Sequence, residues 1–396
     1  PLYSITQKLI DKLNLIFKEG LSGVKVIRAF NKEEHEYMRY KKANDEYTKT
    51  TIKVNAIIGL LMPMMTLILN GATLVITFIG GGSLSNGSME IGTIMGVITY
   101  AMQILTGFML MTNVVSSIPR GITSANRINE VLDYPLAINN PKRPKVFGND
   151  DAKLSFDRVY FNYTGAEKNA LENISFDLKK GETLAIIGST GSGKSSLIQL
   201  IPRFYDVQQG SISVNGLNVN DVLQEDLQKK ISYVPQKSTL FFGTIRDNMT
   251  LGHKEISDRQ IWEALDVAQA TEFIKDLPEG LDSLVEKSGG NFSGGQKQRL
   301  SIARAILKKA DIYVFDDSFS ALDFKTDARI RNAMNDKLSN AITVIVAQRV
   351  STIMNADQIA VLDNGKLVGL GTHDDLSRKN SVYKEILSSQ TEKGRA

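Results

Sequence analysis

Glycines, a lysine and hydroxyls at fixed spacing mark the first chemistry in this sequence. Gly188-Ser189-Thr190-Gly191-Ser192-Gly193-Lys194-Ser195-Ser196 fits G-x-x-x-x-G-K-[ST], the P-loop pattern. Glycines let the backbone curl until its N–H groups face inward toward phosphate oxygens, and a following helix adds the positive end of its dipole. Lys194 is expected to reach the β- and γ-phosphates and Ser195 to hold Mg²⁺. The context is right for it. The apolar run Thr183–Ile187 reads as a strand, and Ser196–Ile201 reads as the start of a helix. A nucleoside triphosphate is the implied ligand.

About a hundred residues later comes Phe292-Ser293-Gly294-Gly295-Gln296, followed by Lys-Gln-Arg-Leu-Ser-Ile-Ala-Arg-Ala305. This stretch resembles the signature motif of the ABC (ATP-binding cassette) family. Ser293, Gly294 and Gly295 offer a hydroxyl and backbone N–H groups to an anion at a helix start. In that family the motif caps the γ-phosphate held by a second subunit's P-loop, with Gln296 inside it.

The resemblance runs over nearly the whole chain and implies further roles. Tyr163, in Val159-Tyr-Phe-Asn-Tyr163, resembles the aromatic that stacks on adenine. Gln236, in Tyr233-Val-Pro-Gln236, matches the glutamine that touches Mg²⁺ and faces the membrane part. Ile312-Tyr-Val-Phe-Asp316 is an apolar strand ending in a carboxylate, so Asp316 is expected to position the magnesium shell. Asp323, in Ser320-Ala-Leu-Asp323, matches the loop that communicates across the dimer.

Two positions depart from the family's pattern. Asp317 stands where a glutamate normally orients the attacking water. Aspartate is one methylene shorter, so its oxygens fall back by about 1.5 Å, and a misplacement near 1 Å can cost roughly a hundredfold in rate. Gln348, in Val344-Ile-Val-Ala-Gln348-Arg349, stands where the family normally has histidine. An amide can hydrogen-bond a phosphate but cannot take up positive charge. The only histidines are His35, His253 and His373, outside these motifs. Losing both residues resembles the degenerate-site subunit of bacterial heterodimeric multidrug exporters. The chain's own site is then expected to hold ATP and cleave it slowly, while Ser293–Gln296 completes the partner's site.

The first third implies what the ATP drives. No charged residue occurs from Val54 to Met89 or from Ile91 to Pro119, and each run exceeds the roughly 20 apolar residues that cross a bilayer. Spans are expected near 54–79 and 91–115, joined by a polar turn over Gly80–Ser88. Lys and Arg precede Val54, and Arg120 and Arg127 follow the second span, so both flanks are expected in the cytoplasm. Pro63 sits within the first span, and Asn70, Gln103 and Asn113 are polar residues inside apolar runs. They suit inter-helix hydrogen bonding better than a substrate path. Leu2–Leu13 resembles a cytoplasmic coupling helix of exporters. Such half-transporters have six spans, so the resemblance implies a fragment in which the first four are missing.

The expected fold is an α/β P-loop NTPase of the ABC nucleotide-binding type preceded by a partial all-α transmembrane domain. Residues 1–133 form the membrane part, 134–151, with Pro135, Pro141 and Pro144, a linker, and 152–396 the nucleotide domain, with a helical insertion near Ser257–Pro278. Net charge of +4 is too mild to argue for nucleic acid, and zero cysteines exclude disulfides and thiolate metal sites. The implied partners are a second half-transporter subunit, the lipid bilayer of the cell membrane and a small amphipathic or lipid-like substrate. The implied cofactors are ATP and Mg²⁺. Alternatives are a catalytically competent homodimeric exporter, a nucleotide-gated regulatory membrane component that does not pump, and a soluble ABC ATPase of the DNA-repair or ribosome-associated kind. The fused spans weigh against the last.

Overall fold

Buried apolar runs dictate the centre of the second half of the molecule. In a computed structural model, which describes residues 2–148, 151–253 and 255–392, the chain divides into two units, Pro1–Tyr134 and Pro135–Ala396. Positions 149–150 of the expected linker, and 254 and 393–396 of the expected nucleotide domain, lie outside the described residues.

The first unit is helical. Helix α1 (Leu2–Ser22), a short α2 (Val24–Ala29), α3 (Glu33–Ser85) and α4 (Ile91–Leu132) follow in order. Leu13 and Ile16 of α1 bury against Ala43 of α3, with Tyr47 packed alongside. Lys12 pairs with Glu46 at 3.2 Å and Glu19 with Arg39 at 2.7 Å, a descending register that makes α1 and α3 antiparallel. These exposed pairs set register more than stability. The expected helix over Leu2–Leu13 is thus only the first part of α1. The one short helix at the bend is α2.

Helix α3 has 53 residues, about 80 Å at the α-helical rise, well beyond the roughly 30 Å hydrocarbon core of a bilayer. Its charged first third therefore continues the apolar span without a break. Both α3 and α4 contain stretches long and apolar enough to cross a membrane. Leu74, Phe78, Ile79 and Phe108 point outward and exposed, as lipid-facing side chains would. The polar turn is shorter than expected, because α3 runs on to Ser85. At Gly80 the two helices meet so closely that a Cβ would lie 2.9 Å from Ile94 Cδ1. Small residues permit such approach between membrane helices. Asn70 and Gln103 are exposed; the side chains of Asn113 and Arg120 lie outside those described.

The second unit is built on a ten-stranded sheet. Its strands are β1 (Lys153–Phe161), β2 (Leu171–Lys179), β3 (Thr183–Gly188), β4 (Gln209–Val214), β5 (Leu217–Asn218) and β6 (Ile231–Val234). After a small hairpin of β7 (Gly243–Thr244) and β8 (Leu284–Val285) come β9 (Ile312–Asp316), β10 (Ile342–Val346), β11 (Gln358–Asp363) and β12 (Lys366–Gly371). The sheet order is β5-β4-β1-β2-β12-β11-β3-β10-β9-β6. From β11 to β6 the neighbours are parallel. Parallel strands are covered on both faces, hence their continuous apolar runs. Ile312 and Val314 face one core with Leu184, Ile186 and Leu197, while Tyr313 and Phe315 face the other with Leu300 and Ile302.

Register then gathers the chemistry. Val346 lies opposite both Asp316 and Ile186, and Val234 lies opposite Phe315. The loops leaving β3, β6, β9 and β10 therefore emerge at one edge, the carboxyl end of a parallel sheet where ligands bind. Helix α5 (Lys194–Leu200) starts there. The helical insertion is present as Asp258–Val267 and Thr271–Lys275, the first opened by a Ser257–Gln260 capping box. Residues 139–145 are held on this unit: Arg203 Nη2 donates to Asn139 O at 3.2 Å, Gln224 N to Asn140 Oδ1 at 2.9 Å, and Lys145 N to Asp221 O at 2.8 Å.

Candidate nucleotide-binding site

The P-loop is shaped by what its glycines allow. A Cβ on Gly188 would sit 2.2 Å from Leu362 O, and Gly193 caps α5 at φ +98, a left-handed conformation that side chains disfavour. The loop folds back on itself. Lys194 Nζ donates to Gly188 O at 2.8 Å and Ser189 O at 2.7 Å, satisfying carbonyls of its own loop. Ser192 Oγ is buried with no partner. Burial lowers the Lys194 pKa, with Asp317 and Asp316 opposing the shift. Its hydrogen bonds go to loop carbonyls, so the ammonium lies over the loop with two carboxylates nearby.

Two carboxylates close the floor. Asp316, at the end of β9, accepts from Ser195 Oγ at 3.2 Å and from Tyr233 Oη at 3.2 Å. Burial raises its pKa above the ordinary carboxylate range despite those hydrogen bonds, and the neighbouring Asp317 adds to the rise. Burial also pushes up Tyr233, next to Asp316. Asp317 takes a left-handed backbone conformation, φ +47, which aspartate tolerates better than most residues. Its carboxylate accepts from Gln348 Nε2 at 2.7 Å and Gln236 Nε2 at 3.2 Å, while burial raises its pKa too. A divalent cation would relieve two crowded carboxylates. Ser195 Oγ and Asp316 Oδ1 are the hard oxygen donors that suit Mg²⁺, which keeps water and substrate phosphate as its other ligands. The residues fit the ion.

A cleft of about 830 Å³ unites Tyr163, Thr190, Gly191, Gly193, Lys194, Ser195, Ser196, Gln236, Asp316, Asp317 and Gln348. Tyr163 packs edge-on against Phe161 and Tyr205, and its hydroxyl lies 2.9 Å from Ser196 Oγ. One side of that ring is positioned and partly exposed, as a stacking platform must be. Gly188 and Ser189 line an adjoining opening of about 1100 Å³ that reaches Arg349 and Gln390.

The other expected residues stand apart. Ser293, Gly294, Gly295, Gln296 and Asp323 line neither opening. Ser293 caps the helix Gly294–Leu307: its Oγ accepts from Gln296 N at 3.3 Å, and Gln296 Oε1 accepts from Ser293 N at 2.8 Å. Ser293 and Gly294 are exposed, and nothing lies within 4 Å of a Cβ placed on Gly294. Asp323 caps the helix Phe324–Lys337 by accepting from Thr326 N, and the Thr326 hydroxyl together with that N–H holds its carboxyl below the usual range.

Tyr233 and Gln390 were not anticipated as site residues. Tyr233 had a signal, three residues before Gln236. Gln390 had none, being an ordinary glutamine 42 positions from the loop it touches.

The chain is similar to known proteins over most of its length. Residues 171–320 match the family described as ABC transporter, and residues 2–108 the family described as ABC transporter transmembrane region. The chain is 39% identical over 396 residues to an uncharacterized ABC transporter ATP-binding protein of Mycobacterium tuberculosis, covering 99% of this chain and 68% of that protein. It is 34% identical to an ATP-dependent lipid A-core flippase of Syntrophus aciditrophicus, covering 96% of this chain and 63% of that one. Its fold is similar to a bacterial Atm1-family ABC exporter with ATP bound, with TM-score 0.85, 31% identity and coverage of 98% of this chain and 70% of that chain.

Proposed function

The chain belongs to the ABC transporter family, and from that premise we propose that it is the slow-site subunit of an exporter, holding ATP in its own cleft and completing a partner's site in trans. It is an ABC-type ATPase of the membrane, with an apolar helical region and a cytoplasmic nucleotide-binding domain. Its general work is to couple ATP binding and hydrolysis to transport of lipid- or drug-like substrates across the membrane.

The carrying observation is the pair Asp317 and Gln348, joined by a 2.7 Å hydrogen bond at the edge where β9 and β10 end. Lys194 and the loop N–H groups bind the phosphates, and Tyr163 orients the base. Mg²⁺, when bound, neutralises charge on the phosphoryl oxygens. Asp317 is engaged by two amides and is one methylene short of the usual base. Its hold on an attacking water is correspondingly poor, so the site retains ATP longer than it cleaves it. The self-capped but exposed Ser293 loop supports a role toward another subunit's nucleotide. ATP binding then draws two cassettes together, and hydrolysis in the partner-facing site releases them.

A competent homodimer is the second reading, favoured by the direct Asp317–Gln348 contact, because an amide can still fix the carboxylate. Mg²⁺-dependent ATP turnover by the full-length protein, alone and co-purified with a partner subunit, separates the two. Turnover that needs the partner supports the slow-site subunit; robust turnover alone replaces it with the homodimer.

A further inference from the structure

The loop that carries Gln348 is held from behind by the last described helix of the chain. One side chain, Gln390, makes both bonds: its Nε2 donates to Gln348 O at 2.7 Å, and its Oε1 accepts from Val350 N at 2.8 Å. The second of these satisfies the first N–H of the helical turn Val350–Ile353, which has no partner within its own turn. Between the two bonds, the Arg349 guanidinium lies over the Phe324 ring at 4.8 Å. The Gln348 side chain then reaches forward to Asp317. A continuous path therefore runs from the helix Ser381–Glu392, through the backbone of residue 348, to the carboxylate beside the phosphate cleft.

That helix is itself firmly seated. Tyr383 is fully buried and its hydroxyl lies 2.8 Å from His373 Nδ1, while Tyr383 N donates to Asn380 Oδ1 at 2.8 Å. Ile386 and Leu387 pack on the core below the sheet. Gln390 follows Tyr383 by seven residues, close to two helical turns, so the buried anchor and the amide share one face.

We propose that Gln390 is a positioning residue for the ATPase site: it fixes the backbone of residues 348–350 so that the Gln348 amide, and through it Asp317, keeps its place. This rests on the function proposed above, in which Gln348 and Asp317 together set how the site handles ATP. A glutamine amide suits the task because it donates and accepts at once, matching one carbonyl and one N–H two residues apart. No shorter or one-sided group can do both.

The test uses the full-length transporter with the partner's P-loop lysine disabled, so that the slow residual turnover, followed over long incubations with radiolabelled ATP, reports the site built on Lys194. Variants Gln390→Ala, Gln348→Ala and the double change are compared for kcat and KM toward Mg²⁺-ATP. Expected is a fall in kcat of about thirtyfold for Gln390→Ala, the value of two ordinary hydrogen bonds, with KM nearly unchanged. The double variant should be no slower than Gln348→Ala alone, since one residue acts through the other. Gln390→Glu, which keeps an acceptor for Val350 N but turns a carboxylate oxygen toward the Gln348 carbonyl, should fall at least as far as alanine, and it serves if the alanine variant is poorly folded. Unchanged kcat in Gln390→Ala, or losses that multiply in the double variant, overturn the proposal. A Gln348→Ala variant with wild-type turnover overturns both this proposal and the role given to Gln348.

Discussion

Two helix N-termini in the nucleotide-binding unit are finished in opposite ways. At α5 the loop is enclosed: Lys194 bonds its own loop carbonyls, Ser195 meets Asp316, and Gln236, Asp317 and Gln348 crowd the floor. At Gly294 the start is open: Ser293 and Gln296 satisfy each other in a capping box, and the glycine faces solvent. An enclosed terminus draws all its partners from its own chain. An exposed one, with its own hydrogen bonds already satisfied, can be covered by another surface without refolding. The difference suits the function proposed above, in which one chain carries a complete binding half and an incomplete catalytic half.

Removing the enclosed end should have the largest effect. Lys194→Ala is expected to weaken nucleotide binding at this chain's site by roughly a hundredfold or more, measured by titration with a fluorescent ATP analogue. Equal affinity in the variant would break the account of the enclosed end. Blocking the open end comes next. Ser293→Arg should leave that binding intact while cutting turnover of the assembled transporter by about a hundredfold; loss of binding as well would mean the two ends are not separable.

Asp317→Glu restores the missing methylene. It should raise turnover at this chain's own site by about tenfold, read in single-turnover assays, and a drop would show that the shorter carboxylate is no handicap. The smallest effect concerns the helix Ser381–Glu392, which backs the loop carrying Gln348. Burial raises the Tyr383 pKa above its ordinary value of 10.0. A raised folded-state value means this contribution to stability is fully present below the unfolded value and is lost as pH climbs through the folded one. Tyr383→Phe should lower Tm by about 2 °C at pH 7, for the lost hydrogen bond to His373. The gap should narrow and then reverse as pH climbs past about 10. A constant gap across that range would contradict the assignment.

Much of the enclosed end was legible in the sequence because its chemistry is local. Gly188–Ser196 needs its glycines in a row, and Asp316 must follow an apolar strand. Strand register then does the rest, by setting Val346 against both Asp316 and Ile186. What stayed hidden depends on contacts between distant segments. Gln390 has no pattern around it, and its meaning comes only from the packing that places its helix behind residue 348. The extent of α1 and α3 was hidden for a different reason. Hydropathy marks the bilayer-sized run from Val54, but helix continuity through charged residues and through Gly80 is decided by neighbouring helices, not by composition.

The most direct measurement disables the two P-loops one at a time in the assembled full-length transporter and records Mg²⁺-ATP turnover. The account predicts that Lys194→Ala leaves most of the activity, while the matching change in the partner removes nearly all of it. Equal losses from the two changes would contradict it and make both sites catalytic.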